Sequence, residues 1–267
     1  MSNYNVNYRQ NPIEPPEPER EPQNDGDKLE AGDIKAASPA LRWLDNFWYH
    51  YKWTFLITVF FVSVGIVCLV QFLSRPKYDT SLAYATHYRM NNQERAEFEA
   101  LLNRLCPEDF DGNGEKNVNM MVYQIYSDEE FESEVEAYAQ RGEVFQINTK
   151  YNQDEYNNFN TFTMTGETSV YIISPHLYSL LRDGERLKPL SEVYPDGNLP
   201  KGAMADGFGI RLSDTDFYKY HPEAQVIPDT AILCLHRPTL AGRGQDADLY
   251  AHDVAYFRAL ADFEVQE

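Results

Sequence analysis

A run of twenty uncharged residues, Thr54 to Leu73, is the strongest hydrophobic feature of the chain. An α-helix of that length covers about 30 Å, the thickness of the hydrocarbon core of a bilayer. The preceding residues 38–53 contain all three tryptophans, and indole rings prefer the headgroup layer of a membrane. Ser38-Pro39 supplies a capping hydroxyl and then proline at the first helical position. We therefore predict an interfacial aromatic helix at 38–53 that continues into a transmembrane helix at 54–73.

We interpret this segment as a signal anchor. It starts more than fifty residues into the chain and is too long for the apolar region of a cleaved signal peptide. Three basic residues lie near each end of the run, so the positive-inside rule does not decide the orientation. A short tail, an anchor and then a folded domain is the usual type II arrangement. We therefore expect a single-pass protein of the plasma membrane, with its N-terminus in the cytoplasm and its C-terminal domain outside.

Beyond the anchor, alternating and helical hydrophobic patterns follow one another. The strand-like segments are 78–86, 118–126, 144–147, 168–174, 208–212 and 230–236. The helix-like segments are 91–105, 127–142, 175–182 and 246–263. Ser127 with Glu130 three residues later predicts a capping box. Such alternation predicts an α/β domain over 76–267, with a mixed, partly parallel sheet flanked by helices.

Before the anchor, residues 1–37 are poor in apolar residues and rich in proline and glutamate. This composition predicts a disordered, polyproline-like tail. Pro15 and Pro18 form a P-x-x-P pattern that can dock on an aromatic groove, and a plain solvated tail is the alternative.

The negative charge is concentrated in the C-terminal domain. The chain has a formal net charge of −19, and residues 76–267 carry −17 of it. Such a field repels nucleic acid and anionic lipid headgroups and attracts cations or basic partners. A soluble, self-repelling surface is the simpler explanation. Cys106 and Cys234 can pair in an oxidising compartment, although two cysteines so far apart are no disulfide framework, and we favour buried, unpaired thiols.

A calcium-loop pattern, D-x-D-x-N-G, begins at Asp109. Oxygen ligands at positions 1, 3 and 5 converge on one cation, and glycine at position 6 permits the sharp turn. Asp109, Asp111 and Asn113 supply the side chains, the carbonyl of Glu115 is the ligand at position 7, and Asn117 can act at position 9.

The second half of this pattern departs from a calcium loop. Position 8 is Lys116, where an apolar residue is usual, and position 12 is Met120, where a bidentate glutamate is expected. We therefore expect either a weak Ca²⁺ site or one that another part of the fold completes. A turn rich in aspartate, asparagine and glycine is the alternative.

The stretch from 151 to 162 mixes aromatic and amide side chains, a composition that can hold sugars or peptides. Its candidate ligand-binding residues are Tyr151, Tyr156, Asn158, Phe159 and Phe162. The alternative is a polar loop with anchoring aromatics.

The order of several segments resembles type 2 periplasmic solute-binding proteins. Tyr171-Ile172-Ile173-Ser174 ends a strand before a short helix, and Leu187-Lys188-Pro189-Leu190 follows as an L-x-P-L turn. The segments 207–212 and 229–235 lead to the C-terminal helix in the same way. The chain as a whole is similar to uncharacterised single-pass membrane proteins of Gram-positive bacteria with such an extracytoplasmic domain. With about 190 residues, the domain is shorter than complete two-lobed binding proteins, which implies one full lobe.

Enzyme signatures such as G-x-S-x-G, a P-loop, G-x-G-x-x-G and H-E-x-x-H are absent from the sequence. We therefore expect a non-catalytic recognition module, similar to a solute-binding protein, for a small ligand or for an envelope or transporter partner. A structural or assembly protein of the membrane is the alternative, and an unrecognised hydrolase is third. A deep cleft lined by residues 151–162 favours recognition, and a filled cleft favours the assembly protein.

Overall fold

A computed structural model describes residues 38–73 and 78–265. The chain divides into two compact units, residues 1–74 and 75–267. The predicted disordered tail at 1–37 lies outside the described residues.

The first unit contains one long helix, α1, Pro39–Leu73. The predicted aromatic helix and the apolar run are thus continuous. Within the 27 residues Asn46–Phe72, the most apolar window of 18 residues has a mean hydropathy of 2.5, and none of that window is buried. By length and composition, this helix is apolar enough to cross a membrane.

The second unit contains a mixed sheet of five strands within the described residues. The strands are β1, Thr80–Thr86, β2, Val118–Gln124, β3, Val170–Ile173, β4, Gly209–Arg211, and β5, Ile232–Leu235. Their order in the sheet is β2-β1-β3-β5-β4. β1 is parallel to both β2 and β3, whereas β5 is antiparallel to both β3 and β4. The prediction of an α/β domain with a mixed, partly parallel sheet is therefore confirmed.

Helices cover both faces of this sheet. They are α2, Asn92–Leu105, α3, Asp128–Gln140, α4, Thr149–Thr165, α5, Pro175–Asp183, α6, Leu190–Val193, α7, Asp216–Tyr220, and α8, Ala247–Ala261. The capping box predicted at Ser127 and Glu130 is present at the start of α3. A second capping box, Asn91 with Glu94, begins α2. These caps satisfy amide groups that the first turn of a helix leaves without partners.

Two cores lie on opposite faces of the sheet because successive strand side chains point in opposite directions. On one face, Leu82 and Tyr84 of β1 belong to the core that includes side chains of α2 and α8. On the other face, Ala83 and Ala85 belong to the core that includes side chains of α4 and α5. The helices and the sheet thus form three layers.

The cysteines of this unit are separated by the sheet. Cys106 belongs to the core on the α2 side, and Cys234 belongs to the core on the α4 side. Both are buried and free. The expectation of buried, unpaired thiols is confirmed for these two described residues.

Two local predictions are wrong. The segment 144–147, predicted as a strand, is irregular. Val144 is 80% exposed, and the ring of Phe145 instead packs against Tyr126, Phe131 and Tyr138, so the apolar residues here anchor α3 rather than extend the sheet. The segment 151–162, whose alternative interpretation was a polar loop, lies within α4.

Candidate functional site

A cavity lies where the three parallel strands end. The connection from β1 to β2 passes through α2 on one face of the sheet, and the connection from β2 to β3 passes through α4 on the other face. Strands β2 and β3 therefore lie on either side of β1, and the chain changes face between them. In open α/β sheets, a crevice forms at this switch point, outside the carboxyl ends of the strands, and it is where such folds bind ligands.

The cavity has a volume of about 640 Å³, within the range of small-molecule sites. Its wall follows the ends of the three strands: His87 comes directly after β1, the first turns of α3 follow β2, and the start of α5 follows β3. Thr230, which precedes the antiparallel β5, closes the same edge. The described residues that line it are His87, Ser127, Asp128, Glu129, Glu130, Ser133, Glu134, Pro175, His176, Ser179 and Thr230.

One ion pair fixes α3 beside β1. His87 Nδ1 lies 3.2 Å from Glu130 Oε1, and the other carboxylate oxygen of Glu130 accepts the backbone N–H of Ser127. The hydrogen bond to Glu130 raises the pKa of His87, against the opposing effect of burial. Burial tends to raise the pKa of Glu130, but the hydrogen bonds from His87 and Ser127 together hold it below its ordinary value. The pair therefore favours the protonated imidazole of His87 and the ionised carboxylate of Glu130.

The start of α5 contributes a buried hydroxyl at the cavity edge. Ser174 is the N-cap residue of α5, but its side chain makes no capping hydrogen bond. Its Oγ is buried and has no hydrogen-bond partner among the described residues. Buried polar atoms are normally paired, so this hydroxyl is an exception; it precedes Pro175 and His176 in the chain, which line the cavity, but is not itself part of the cavity wall.

A second candidate site is an acidic triad. One carboxylate oxygen from each of Asp79, Asp109 and Asp111 lies within 4.8 Å of the others, so the triad can hold a metal ion. Asp79, directly before β1, is the member that the sequence analysis missed. It lies thirty residues before the loop, and no local pattern marks it as a ligand; only the pairing of β1 with β2 brings it beside Asn117.

Asp79 organises the loop. Its side chain is 1% exposed, and one carboxylate oxygen accepts the backbone N–H groups of Phe110 at 2.6 Å and Asp111 at 3.1 Å. The other oxygen accepts the N–H of Asn117 at 2.8 Å. This carboxylate therefore holds both ends of the loop against the start of β1.

Within the loop, the predicted ligands bind one another through short-range hydrogen bonds. The carboxylate of Asp109 accepts the N–H of Gly114 at 2.7 Å, and this bond is the main cause of its lowered pKa. Asp111 accepts the N–H of Asn113, whose own Oδ1 accepts the N–H of Glu115. These bonds draw the acidic side chains to the inside of the turn.

The remaining loop positions differ from a complete calcium loop. The side chain of Asn117 donates to the carboxylate of Glu115, and the Nζ of Lys116 donates to the carbonyls of Cys106 and Pro107. Met120 is buried within β2. The position where a calcium loop has a glutamate thus belongs to the sheet, and Asp79 contributes the additional carboxylate instead.

The predicted ligand-binding residues of α4 do not share one cleft. Phe159 is 3% exposed and belongs to the core, with Tyr156 and Phe162 packed against it. Tyr151 borders a separate cavity of about 340 Å³, and Asn158 is exposed. The helical period turns most of these aromatic rings toward β2 and β3, so they fill the interior instead of lining a surface.

The chain matches no family model, no curated protein and no solved structure.

Proposed function

We propose that this chain is a membrane-anchored, non-catalytic recognition module that binds a small ligand in the cavity at the carboxyl ends of β1, β2 and β3. The observation that carries the proposal is the position of the cavity. It lies at the switch point of the sheet, where the fold leaves a crevice between diverging connections. A solute-binding-like fold of one lobe is consistent with this arrangement.

The membrane part of the proposal rests on α1. Its 35 residues extend over about 52 Å, which exceeds the ~30 Å of a hydrocarbon core. The N-terminal part of the helix, which extends beyond the hydrocarbon core, contains Trp43, Trp48 and Trp53, and their indole rings suit the headgroup layer. We place the N-terminus in the cytoplasm and the acidic unit outside the cell.

The recognition function is tested by ligand-dependent unfolding of the full chain in detergent. The panel contains neutral sugars, amino acids, carboxylates and amines at fixed ionic strength. A ligand at ten times its dissociation constant adds ~1.4 kcal/mol to stability, which raises Tm by roughly 3–5 °C for a unit of this size. Far-UV circular dichroism is the readout because all three tryptophans lie in α1, outside the unit that holds the cavity.

A matched pair of variants locates the ligand. Ser133 and Ser191 are both exposed serines on helices, but only Ser133 lines the cavity. We expect Ser133→Trp to abolish the rise in Tm and Ser191→Trp to retain it. If no solute class raises Tm, or if both variants respond like the wild type, the cavity is not a ligand site.

The alternative is an assembly protein that uses the same fold as an interaction surface. It is supported by the packing of Phe159, Tyr156 and Phe162, which fill a core where a cleft was expected. The hydrolase alternative has less support. Among the described residues, His87 forms a hydrogen bond with Glu130 through Nδ1, but no serine or cysteine donates a hydrogen bond to its ring.

A second proposal is that the acidic triad binds Ca²⁺. The triad provides only oxygen ligands, and hard oxygen ligands in a flexible loop suit Ca²⁺ better than transition metals. We expect millimolar CaCl₂ to raise the Tm of the full chain relative to chelator. The rise should disappear in the variant Asp109→Asn/Asp111→Asn and persist in Asp196→Asn, an exposed aspartate of another turn. An equal rise in all three proteins would show that the triad does not bind the ion.

A further inference from the structure

We propose that a second cavity, the Arg89 cavity, binds a sugar acid, which is a hexose ring that bears one carboxylate. The Arg89 cavity is distinct from the cavity of the proposed function, and the inference goes beyond that function. Its volume is about 340 Å³, at the lower end of the range of small-molecule sites. Its wall is formed by Arg89 after β1, the end of β2, the irregular segment 145–148 and the first turn of α4.

The wall of the Arg89 cavity differs in charge from the rest of its unit. The second unit contains 33 aspartates and glutamates, yet none is among the described residues that line this cavity, and Arg89 is the one charged residue there. Burial raises the pKa of Tyr126, and the charges of Glu134 and Glu130 raise it further. These two carboxylates line the other cavity, where Glu130 pairs with His87. A solute that enters the Arg89 cavity therefore meets a cation and no carboxylate on the wall, which favours an anionic group.

The backbone at Arg89 is fixed, but its guanidinium is not used. The carbonyl of Tyr88 accepts the hydroxyls of Tyr84 and Thr86, and Met90 on the other side is buried. Arg89 itself is exposed. Seven described arginines of the second unit form ion pairs with carboxylates, whereas Arg89 has no such partner among the described residues. Its planar guanidinium can therefore bind a ligand carboxylate through two parallel N–H bonds.

Amide and phenol groups beside Arg89 suit a ring with several hydroxyls. Gln124 Nε2 donates to the hydroxyl of Tyr126 at 3.0 Å and to the carbonyl of His87 at 3.2 Å, so its Oε1 remains as an acceptor. The hydroxyl of Tyr126 can in turn donate its own hydrogen. Gln146 is an exposed residue of the wall, and its amide offers both donors and an acceptor. Sugar hydroxyls also donate and accept, so they match this mixture better than an apolar carboxylic acid does.

Tyr151 adds aromatic surface to a wall that the fold has already built. It is 44% exposed, and its backbone N–H donates to Asn148, the N-cap residue of α4. Asn152 accepts the backbone N–H of Tyr126 at 2.9 Å and donates to its carbonyl at 3.0 Å, which joins the end of β2 to α4. An exposed phenol combines an apolar ring with a polar tip, and a sugar ring likewise combines C–H groups with hydroxyls.

A ligand-observed NMR titration of the full chain tests the proposal, in a detergent whose head groups contain no sugar. The probes are glucuronate and galacturonate, each compared with its neutral hexose at fixed ionic strength. We expect a uronate to bind at least tenfold more tightly than its hexose, because only the uronate has a carboxylate for Arg89.

A matched pair of variants locates the carboxylate. Arg89→Gln should remove the preference for the uronate, and Lys150→Gln should retain it within about twofold. Lys150 is the control because it is an exposed cation in the first turn of α4 that lies outside the wall. Both substituted residues are exposed, so the fold should be retained, which thermal unfolding checks.

The remaining outcomes separate this inference from the proposed function. Equal loss in both variants, or binding of acetate as tight as that of the uronates, would overturn it, because a surface charge would then attract any anion. Binding of a uronate that Ser133→Trp abolishes and Arg89→Gln retains would also overturn it, and would support recognition in the other cavity. No binding of either uronate would overturn this inference alone.

Discussion

Removal of the Asp79 carboxylate should destabilise the second unit more than any other change in the acidic loop. The side chain is buried and accepts three backbone N–H groups, those of Phe110, Asp111 and Asn117. In Asp79→Ala, all three donors lose their acceptor. The side-chain links from the start of β1 to both ends of the loop are then lost, and only the backbone N–H of Asp79 still donates to the carbonyl of Asn117.

Two effects of opposite sign determine how far Asp79→Ala lowers the free energy of unfolding: the lost hydrogen bonds and the relieved repulsion between carboxylates. Hydrogen bonds to a charged group contribute roughly 1.5–3 kcal/mol each, so three contribute about 6 kcal/mol. Repulsion between Asp79 and the other two acidic side chains, whose oxygens lie within 4.8 Å, is screened on the loop side because Asp111 is exposed to solvent. Relief of that repulsion therefore offsets only part of the lost hydrogen bonding. The expected net loss is ~4 kcal/mol, which lowers Tm by roughly 10 °C.

The measurement is thermal unfolding of the full chain in detergent and chelator, followed by far-UV circular dichroism. Chelator removes any contribution of bound metal, so the shift reports only the hydrogen bonds of Asp79 and its repulsion with the other two carboxylates. Asp196→Ala is the control because, among the described residues, its exposed carboxylate accepts side-chain and backbone N–H groups from Asn198 alone. A surface change of this kind is expected to stay within about 0.5 kcal/mol.

The reasoning is refuted if Asp79→Ala in chelator melts within about 2 °C of the wild type. Such a result would mean that repulsion in the triad offsets the hydrogen bonds completely. A large loss in Asp196→Ala as well would show that the assay reports general surface charge.

Two further predictions concern other parts of the second unit. Gly166 has φ +68°, and an added Cβ would lie 2.6 Å from the carbonyl oxygen of Ala241, whereas Gly142 has φ +72° with open space around it. Gly166→Ala should therefore lower the free energy of unfolding more than Gly142→Ala. We expect a loss of about 1 kcal/mol for Gly142→Ala and at least twice that for Gly166→Ala by denaturant unfolding, and equal losses would contradict the steric argument. Because the pKa of His87 is raised in the folded state, its stabilisation is fully present below the ordinary value of 6.5 and is lost as pH rises through the raised pKa. The difference in Tm between wild type and His87→Gln should therefore shrink with rising pH, and a difference that grows would show that the pair with Glu130 does not set the shift.

Local signals in the sequence predicted much of the fold. Strands β1 and β3 were recognisable because they are central strands, buried on both faces along their whole length. The capping box of Ser127 and Glu130 marked the start of α3 because the hydrogen bonds involved span only three residues. Segment 144–147 was misassigned because an apolar tetrapeptide can pack against rings as readily as it can pair with a strand.

The candidate sites depended on contacts that the sequence does not encode locally. Two of the three carboxylates of the acidic triad, those of Asp109 and Asp111, were visible in the spacing of the loop, but Asp79 joins them only through the pairing of β1 and β2. The cavity likewise depends on distant segments, because the ends of the parallel strands bring Glu129, Glu130 and Glu134 of α3 to the same edge as His87 and His176.

By itself, the sequence determined features that depend on neighbouring residues: the long apolar helix, most of the strands and helices, the capping box of α3 and the aspartate-rich turn. Only the tertiary structure decided which side chains from distant segments meet. It placed Cys106 and Cys234 on opposite faces of the sheet, turned Phe159 into the core, and brought His87, Glu130 and Ser174 together at one edge. The physical reason is that helix and strand periods are local, whereas strand order and crossover direction arise from packing of the whole sheet.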